Sequence, residues 1–286
     1  MAQAERDDSV VILDHGQDLD WGQYEHLNPD KVSRAVVAIS ASVVTTGPGA
    51  VPRHQHRKAE LIYTVRGVIN CDMEGGLWIV PPQCAVWIPS GMPHSVACVG
   101  DFECHCMFVD ADVAGALPDR CCTVSISPFL RELLLQATRL PQLYDDNGRD
   151  GRLVAVFLDE LAAAPVENLH LPMPADKRLR KLADLMRAQP GDRASVREWA
   201  SRVALSERSL SRLLLQQIGM SFGQWRRQLH VIMAVQRLTA GESVQSVAID
   251  LGYESASSFV TMFRKVLGKP PGRYLRGVAA RTDKPA

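Results

Sequence analysis

The sequence predicts two domains: an antiparallel β-barrel at the N-terminal end and an all-α double helix-turn-helix at the C-terminal end, joined by a helical linker. Three observations lead there. Short apolar runs rich in Val, Ile, Trp, Tyr and Thr, separated by Gly, Pro and Asp, fill the stretch from about Val10 to Val124, and such spacing reads as a sandwich or barrel. From Pro128 the apolar period turns helical. The last third carries one apolar skeleton twice, 49 residues apart. The bounds read as 10–125, 126–172 and 173–280.

The 286 residues suffice for two cored domains. Net charge is zero, but residues 173–286 hold 20 Lys/Arg against 9 Asp/Glu, and 1–172 hold 12 against 23. A basic C-terminal part on an acidic body points to an anionic partner, nucleic acid first, with a solvated basic face as the alternative. All seven cysteines lie in the first half, in an odd number and at uneven spacing. That argues against a disulfide scaffold. "MAQAERDDSV" is acidic without an apolar core, so no signal peptide is expected, and no apolar run reaches membrane-spanning length. A cytoplasmic protein in a reducing compartment is the expectation.

The β elements are expected in "SRAVVAISASVV", "LIYTVRGVINCDM" with a hairpin at Gly67, "GLWIVPP", "CAVWIP" and "FECHCMFV". Two helices should follow. Pro128 starts one whose apolar face is Leu130, Leu133 and Leu134. The other presents Leu153, Val156, Phe157 and Leu161. The two prolines of "ENLHLPMPAD" break the helix and place a linker near 166–175.

Each copy of the repeat has the form helix, short turn, helix. Ser195 and Glu198 form a capping box before "VREWASRV", with Val196, Trp199, Ala200 and Val203 inward. Ala204 and Leu205 turn, Ser206 caps "ERSLSRLLLQQI", and Gly219 ends it. In the second copy Ser243 caps "VQSVAIDL", Gly252 turns, and Ser255 caps "ASSFVTMFRKVL" before Gly268. Leu210 matches Phe259, Leu214 matches Phe263, Ile218 matches Leu267, and Trp225 matches Tyr274. A long helix from Phe222, capped by Ser221 and Gln224, joins the copies and presents Trp225, Leu229, Ile232 and Met233 on one face. This layout sends each second helix into a DNA major groove. Arg208 and Arg212 point away from Leu210 and Leu214, while Thr261, Arg264 and Lys265 lie on the second such helix.

"GESVQSVAIDLGYESASSFVTMFRKVLGKPPGRY", with "EWASRVALSERSLSRLLLQQIGMSFGQWRRQL" before it, resembles the DNA-binding domain of the arabinose-regulator (AraC/XylS) family over about residues 177–276. The resemblance implies two helix-turn-helix units binding successive major grooves of double-stranded operator DNA. It assigns base contacts to Arg208, Ser211 and Arg212 in the first unit and to Ala256, Ser257 and Thr261 in the second. His230 stands where the family often has Arg, which implies a weaker or pH-dependent phosphate contact there. Leu214 replaces a frequent Phe. Because Arg reads guanine bidentately, the first unit should carry more sequence specificity. The second should grip phosphate through Ser255, Ser257, Ser258 or Lys265, as Ser206 does at the head of the first recognition helix.

"PRHQHRKAEL" places His54, His56 and Glu60 at one parity, so on an unbulged strand they point the same way. His94 follows the turn in "IPSGMPHSV". "HQHRKAELIYTVRG" with "PSGMPH" resembles the two motifs of the cupin superfamily, which implies a small antiparallel barrel with metal ligands at His54, His56, Glu60 and His94. The first Gly of that pattern falls loosely on Gly47 or Gly49, and its closing Asn is Cys98. Imidazole and carboxylate suit Ni, Fe, Mn, Zn or Cu. The alternative is that these side chains are the polar lining of an effector pocket. In "ECHCM", Cys104 and Cys106 share a face, as a soft-metal or redox pair or as small buried hydrophobes. Cys121 and Cys122 suggest no special chemistry. Trp78, Trp87 and Tyr63 suit a pocket wall or the core equally.

The order cupin, helices, double helix-turn-helix is most similar to the branch of that family that includes the nitroimidazole-linked repressors. The expected function is a sequence-specific transcription regulator, activator or repressor. It would respond to a small molecule or metal ion in the barrel, act as a homodimer through the helices at 128–164, and carry no catalytic residue. The alternatives are a metal-dependent cupin enzyme with secondary DNA binding and a non-specific nucleoid-type binder.

Overall fold

The computed structural model describes residues 10–12, 28–43, 49–80, 84–167, 169–239 and 241–274. Gly47 and the acidic N-terminal stretch lie outside them. The chain divides into two compact units, residues 1–73 with 78–167 and residues 74–77 with 168–286.

The first unit contains β1 (Val10–Ile12), β2 (Val36–Val43), β3 (Gly49–His54), β4 (Ala59–Met73), β5 (Gly76–Val80, its first two residues counted with the second unit), β6 (Cys84–Ile88), β7 (His94–Val109) and β8 (Cys122–Ser125). Then come α1 (Pro128–Ala137), α2 (Arg149–Ala162) and β9 (Val166–Glu167). The strands run β1-β2-β7-β4-β6-β8-β9, with β3 also on β7. Pairing is antiparallel except between β1 and β2.

β4 and β7 form the spine. The hairpin expected at Gly67 is absent. β4 runs on through Gly67, whose φ of 79° sits beside a register shift between Arg66 and Val68. A glycine free to adopt positive φ absorbs the bulged residue and bends the strand instead of reversing it. The reversal comes later, at Gly75 with φ 92°.

Both faces of this sheet are covered. Leu61, Tyr63, Trp87, Met107 and Val109 share a core with Leu130 and Leu134 of α1 and with Val154, Phe157 and Leu161 of α2. The helices following the strands are thus anchored on the sheet, and Tyr63 and Trp87 belong to that core. Val156, expected inward, is exposed, because Val154, Phe157 and Leu161 define the stripe that meets the sheet. On the opposite face Val37, Ile39 and Phe108 pack together, with Val51 and Cys106 against them. This second face carries the candidate site.

The second unit contains β10 (His170–Pro172), α3 (Lys177–Ala188), α4 (Val196–Ser201), α5 (Glu207–Ile218), α6 (Phe222–Thr239), α7 (Val244–Asp250) and α8 (Ala256–Leu267). The stretch read as a linker near 166–175 includes two short strands and buries Leu169 and Leu171. The carbonyls of His170 and Pro172 accept from Gln228 Nε2 and Trp225 Nε1, each at 2.9 Å. α6 packs against α5, α7 and α8. Being surrounded, it buries Trp225, Leu229, Val231, Ile232, Ala234 and Val235, wider than the single stripe expected, while Met233 is half-buried.

Candidate functional site

His54, His56, Glu60 and His94 come together, their ligand atoms all within 4.8 Å of one another. Their route differs from the parity argument. His54 ends β3, residues 55–58 form a loop, and Glu60 is the second residue of β4. The three side chains converge because the loop folds over the barrel interior, and the chain is not one strand there.

That loop is held by its neighbours. Asp30 accepts the amides of Arg57 (2.8 Å) and Lys58 (3.0 Å) on its two carboxylate oxygens. Lys58 Nζ, fully buried, donates to Asp110 Oδ2 at 2.9 Å and to the carbonyl of Arg34 at 2.7 Å. The amide of Gly91 donates to the carbonyl of His56 at 2.8 Å, tying the turn before His94 to the loop bearing His56.

Two imidazoles are oriented by backbone. His54 Nδ1 lies 2.7 Å from Pro52 O and His94 Nδ1 lies 2.9 Å from Met92 O. A carbonyl only accepts, so each Nδ1 carries a proton and Nε2 is left to face the site. Fixing the tautomer through the other ring nitrogen is how histidine ligands are aimed at metals. His94 Nε2 sits 2.9 Å from Glu60 Oε2, and His56 Nε2 sits 3.9 Å from the same oxygen. The close pair lacks hydrogen-bond alignment, and both atoms count as buried polar atoms without a hydrogen-bond partner. We read the 2.9 Å approach as an ionic contact, since distance is satisfied and direction is not.

The charges fit that reading. Burial pushes the Glu60 carboxyl up, but the three histidines, His94 foremost, outweigh it and hold it below the usual range. Burial lowers His94, but Glu60 and the Met92 carbonyl together outweigh it and raise it above the ordinary value. Burial holds His54 and His56 below the ordinary histidine value. Once the extra proton on His94 is displaced, an anionic carboxylate with three imidazole lone pairs is the donor set a divalent transition ion takes. The residues present fit a metal.

Around this centre, Phe108 meets the His56 ring at 4.9 Å between centroids. Cys106 lies near Glu60 on the same face. Its thiol is pushed well up by the Cys104 thiol beside it, then by burial and Glu60, which makes it a poor nucleophile. His105 points the other way and stacks near Tyr63. A separate cleft of about 640 Å³, lined by Arg34, Arg57, Asp110, Tyr144, Asp146 and Leu158 among others, does not include the histidines.

In the second unit the local signals act as their chemistry dictates. Ser195 and Glu198 form the capping box of α4, and Ser206, Ser243 and Ser255 cap α5, α7 and α8. Gly219 and Gly268 close α5 and α8 in the left-handed region. Both turns have the same form. The amide of Leu205 donates to Ala200 O at 3.0 Å and that of Tyr253 to Ala248 O at 2.9 Å, each just after a left-handed residue, Ala204 or Gly252. The copies therefore match at a shift of 48 through the turn and 49 beyond it, because Glu254 adds one residue before Ser255.

Leu210, Leu214, Phe259 and Phe263 are buried, leaving Arg208, Ser211 and Arg212 of α5 and Ser257, Thr261, Arg264 and Lys265 of α8 exposed. Ser206, Ser255 and Ser258 are exposed at the helix starts, and Ala256 is half-buried. Thr261 Oγ1 donates to Ser257 O at 2.9 Å, so its hydroxyl is engaged by its own helix. Leu215, exposed on the Arg208–Arg212 side of α5, was not singled out by sequence, because it hides in the run Leu213–Leu215.

His230 corrects an expectation. It is buried, with Nδ1 3.1 Å from Tyr253 Oη and Nε2 accepting from Arg226 Nε at 3.4 Å. Burial, then the Arg226 cation, lowers it to about 4. It does not serve as a phosphate contact, because the ring is uncharged at neutral pH and buried. It is a structural link: Arg226 also donates to Asp192 O at 2.5 Å, so the network joins the segment before α4, the central helix and the second turn.

Comparison with known proteins agrees with both domains. A helix-turn-helix domain family matches residues 199–277 and a cupin domain family matches residues 42–110. The HTH-type transcriptional regulator RipA of Corynebacterium glutamicum is 32% identical over 106 residues, 37% of this chain and 32% of that protein. The arabinose operon regulatory protein of Escherichia coli K12 is 30% identical over 138 residues, 46% of each chain. The HTH-type transcriptional regulator NimR of Escherichia coli K12 is 41% identical over 247 residues, 86% of this chain and 90% of that protein. Identity of that extent, on a cupin unit followed by a doubled helix-turn-helix, makes this chain a member of the AraC-type family of DNA-binding transcriptional regulators.

Proposed function

We propose that the chain is a metal-responsive regulator in which a divalent transition ion, held by His54, His56, Glu60 and His94, governs how the paired helix-turn-helix units meet the operator. The observation that carries this reading is the convergence of four donors within 4.8 Å, two of them aimed by backbone carbonyls, in a chain that also carries a DNA reader. The bound ion would supply charge to satisfy Glu60 and the imidazole lone pairs. The residues themselves set the geometry, aim Nε2 of His54 and His94 at the centre and keep the carboxylate ionised.

On the DNA side, Arg208, Ser211 and Arg212 read bases, with Ala256, Ser257 and Thr261 in a lesser role, while Ser206, Ser255, Ser258 and Lys265 hold phosphate. The protein acts in the cytoplasm, without catalysis, as a homodimer. Exposed Phe129, Leu143 and Val156 on and between α1 and α2 support pairing through those helices. No helix among the described residues is long and apolar enough to cross a membrane.

The test is metal analysis of purified full-length protein, followed by operator selection from random DNA with and without Ni, Fe, Mn, Zn and Cu. A metal-dependent shift in affinity supports the sensor. Specific binding indifferent to every metal but shifted by an organic ligand moves the reading to a pocket lined by these residues. Turnover of a substrate would instead favour a cupin enzyme.

A further inference from the structure

A second group of donors meets beside the histidines, and it is made of sulfur. Cys121 Sγ lies 2.8 Å from Met92 Sδ and 3.2 Å from Met73 Sδ. The three come from separate segments: Met73 ends β4, Met92 sits in the turn before β7, and Cys121 immediately precedes β8. Met73 is buried, while Met92 and Cys121 are half-buried, so the group is reachable from solvent on one side. Met73 is the register partner of His94 across β4 and β7, which places the sulfurs next to the His/Glu centre. Met92 touches both groups: its carbonyl orients His94, and its side chain joins the sulfurs.

We propose that Cys121, Met73 and Met92 form a binding site for a soft monovalent cation, with copper(I) as its ligand. One thiol and two thioethers are soft donors, and such sets select copper(I). Zinc takes Cys, His and carboxylate, so two thioethers do not suit it. Charge decides in the same direction. One thiolate and a monovalent ion make a neutral centre, whereas a divalent ion would leave a net charge in a half-buried place, which is costly. Burial pushes the Cys121 thiol up to about 12, so it is protonated when no ion is bound. Binding replaces the thiol proton: the S–H bond breaks, the S–Cu bond forms, and the proton goes to solvent with no change of oxidation state.

The experiment is an anaerobic titration of the full-length protein with copper(I) against a chromophoric copper(I) chelator, repeated with silver(I) as a redox-inert probe. One tight equivalent is expected, with X-ray absorption reporting a first shell of sulfur alone. Met92→Leu, which conserves volume and fold, should weaken it at least tenfold, and Cys121→Ser should abolish it. The Cys104→Ala/Cys106→Ala double variant should retain it. The proposal is overturned if the wild type takes no copper(I) from the chelator, if Met92→Leu and Cys121→Ser bind as the wild type does, or if the Cys104/Cys106 variant loses the equivalent. Circular dichroism of each variant separates loss of the site from loss of the fold.

Discussion

His94 Nε2 stands 2.9 Å from Glu60 Oε2 inside the barrel, with His94 Nδ1 held by Met92 O and no hydrogen-bond alignment between the close pair. A neutral His94 would set lone pair against lone pair, so the contact calls for a positive charge, either a second proton on His94 or a metal ion between them. Metal must then displace a proton that Glu60 helps His94 to hold. Uptake should therefore release protons and weaken as pH falls. Glu60→Gln and His94→Gln should each lower divalent-metal affinity by roughly a hundredfold or more, since even outer supporting groups carry 10–100-fold. Metal content after dialysis checks this, and unchanged content in both variants would remove the site.

Arg208 and Arg212 are exposed on α5 above the buried Leu210 and Leu214. Arg208→Ala or Arg212→Ala should lose about 1–3 kcal/mol of discrimination at one operator position while leaving non-specific binding nearly intact. Lys265→Ala should weaken all sequences alike and reduce the salt slope by about one. Competition binding on selected and scrambled operators at several salt concentrations separates the two patterns.

Ala204 has φ 55° in the first turn where Gly252 has φ 79° in the second. A side chain in the left-handed region costs roughly 1–2 kcal/mol, partly offset by the backbone entropy of glycine. Ala204→Gly should therefore stabilise the helical unit by about 0.5–1 kcal/mol in denaturant unfolding. Gly252→Ala should destabilise it by more than about 2 kcal/mol, because strain is joined by collision: a Cβ there would lie 2.6 Å from Gly191 O. Equal effects of the two substitutions would contradict the turn geometry.

His230 titrates near 4 in the fold against an ordinary value of 6.5. The unfolded chain binds its proton first, so between those values stability falls as pH falls, and above 6.5 the contribution is constant. On the order of 3 kcal/mol is at stake across the window. His230→Gln, which cannot titrate, should flatten this part of the stability–pH curve measured by chemical unfolding. A curve of unchanged slope would mean that another group sets it.

Much of this was legible along the chain. Serine caps, the terminal glycines and the 3.6-residue apolar period depend on neighbours within one turn, so the helices around Leu210, Leu214, Phe259 and Phe263 could be placed from local text. The four candidate donors were legible as residue types at motif spacing. Their route was not: the shared-strand reading of His54, His56 and Glu60 failed because a loop held by Asp30 and Lys58 interrupts the strands.

The sequence by itself determined the two folds, the charge split between them and which residue types stand at the candidate sites, because composition, period and capping are local properties. Only the tertiary structure decided what depends on distant partners. It turned Gly67 from a hairpin into a bulge on β4, moved His230 from the DNA face into a buried link with Tyr253, and brought Cys121 against Met73 and Met92. Those outcomes rest on contacts across 23 to 48 residues of chain, or on pairing between long strands, where no spacing rule reaches.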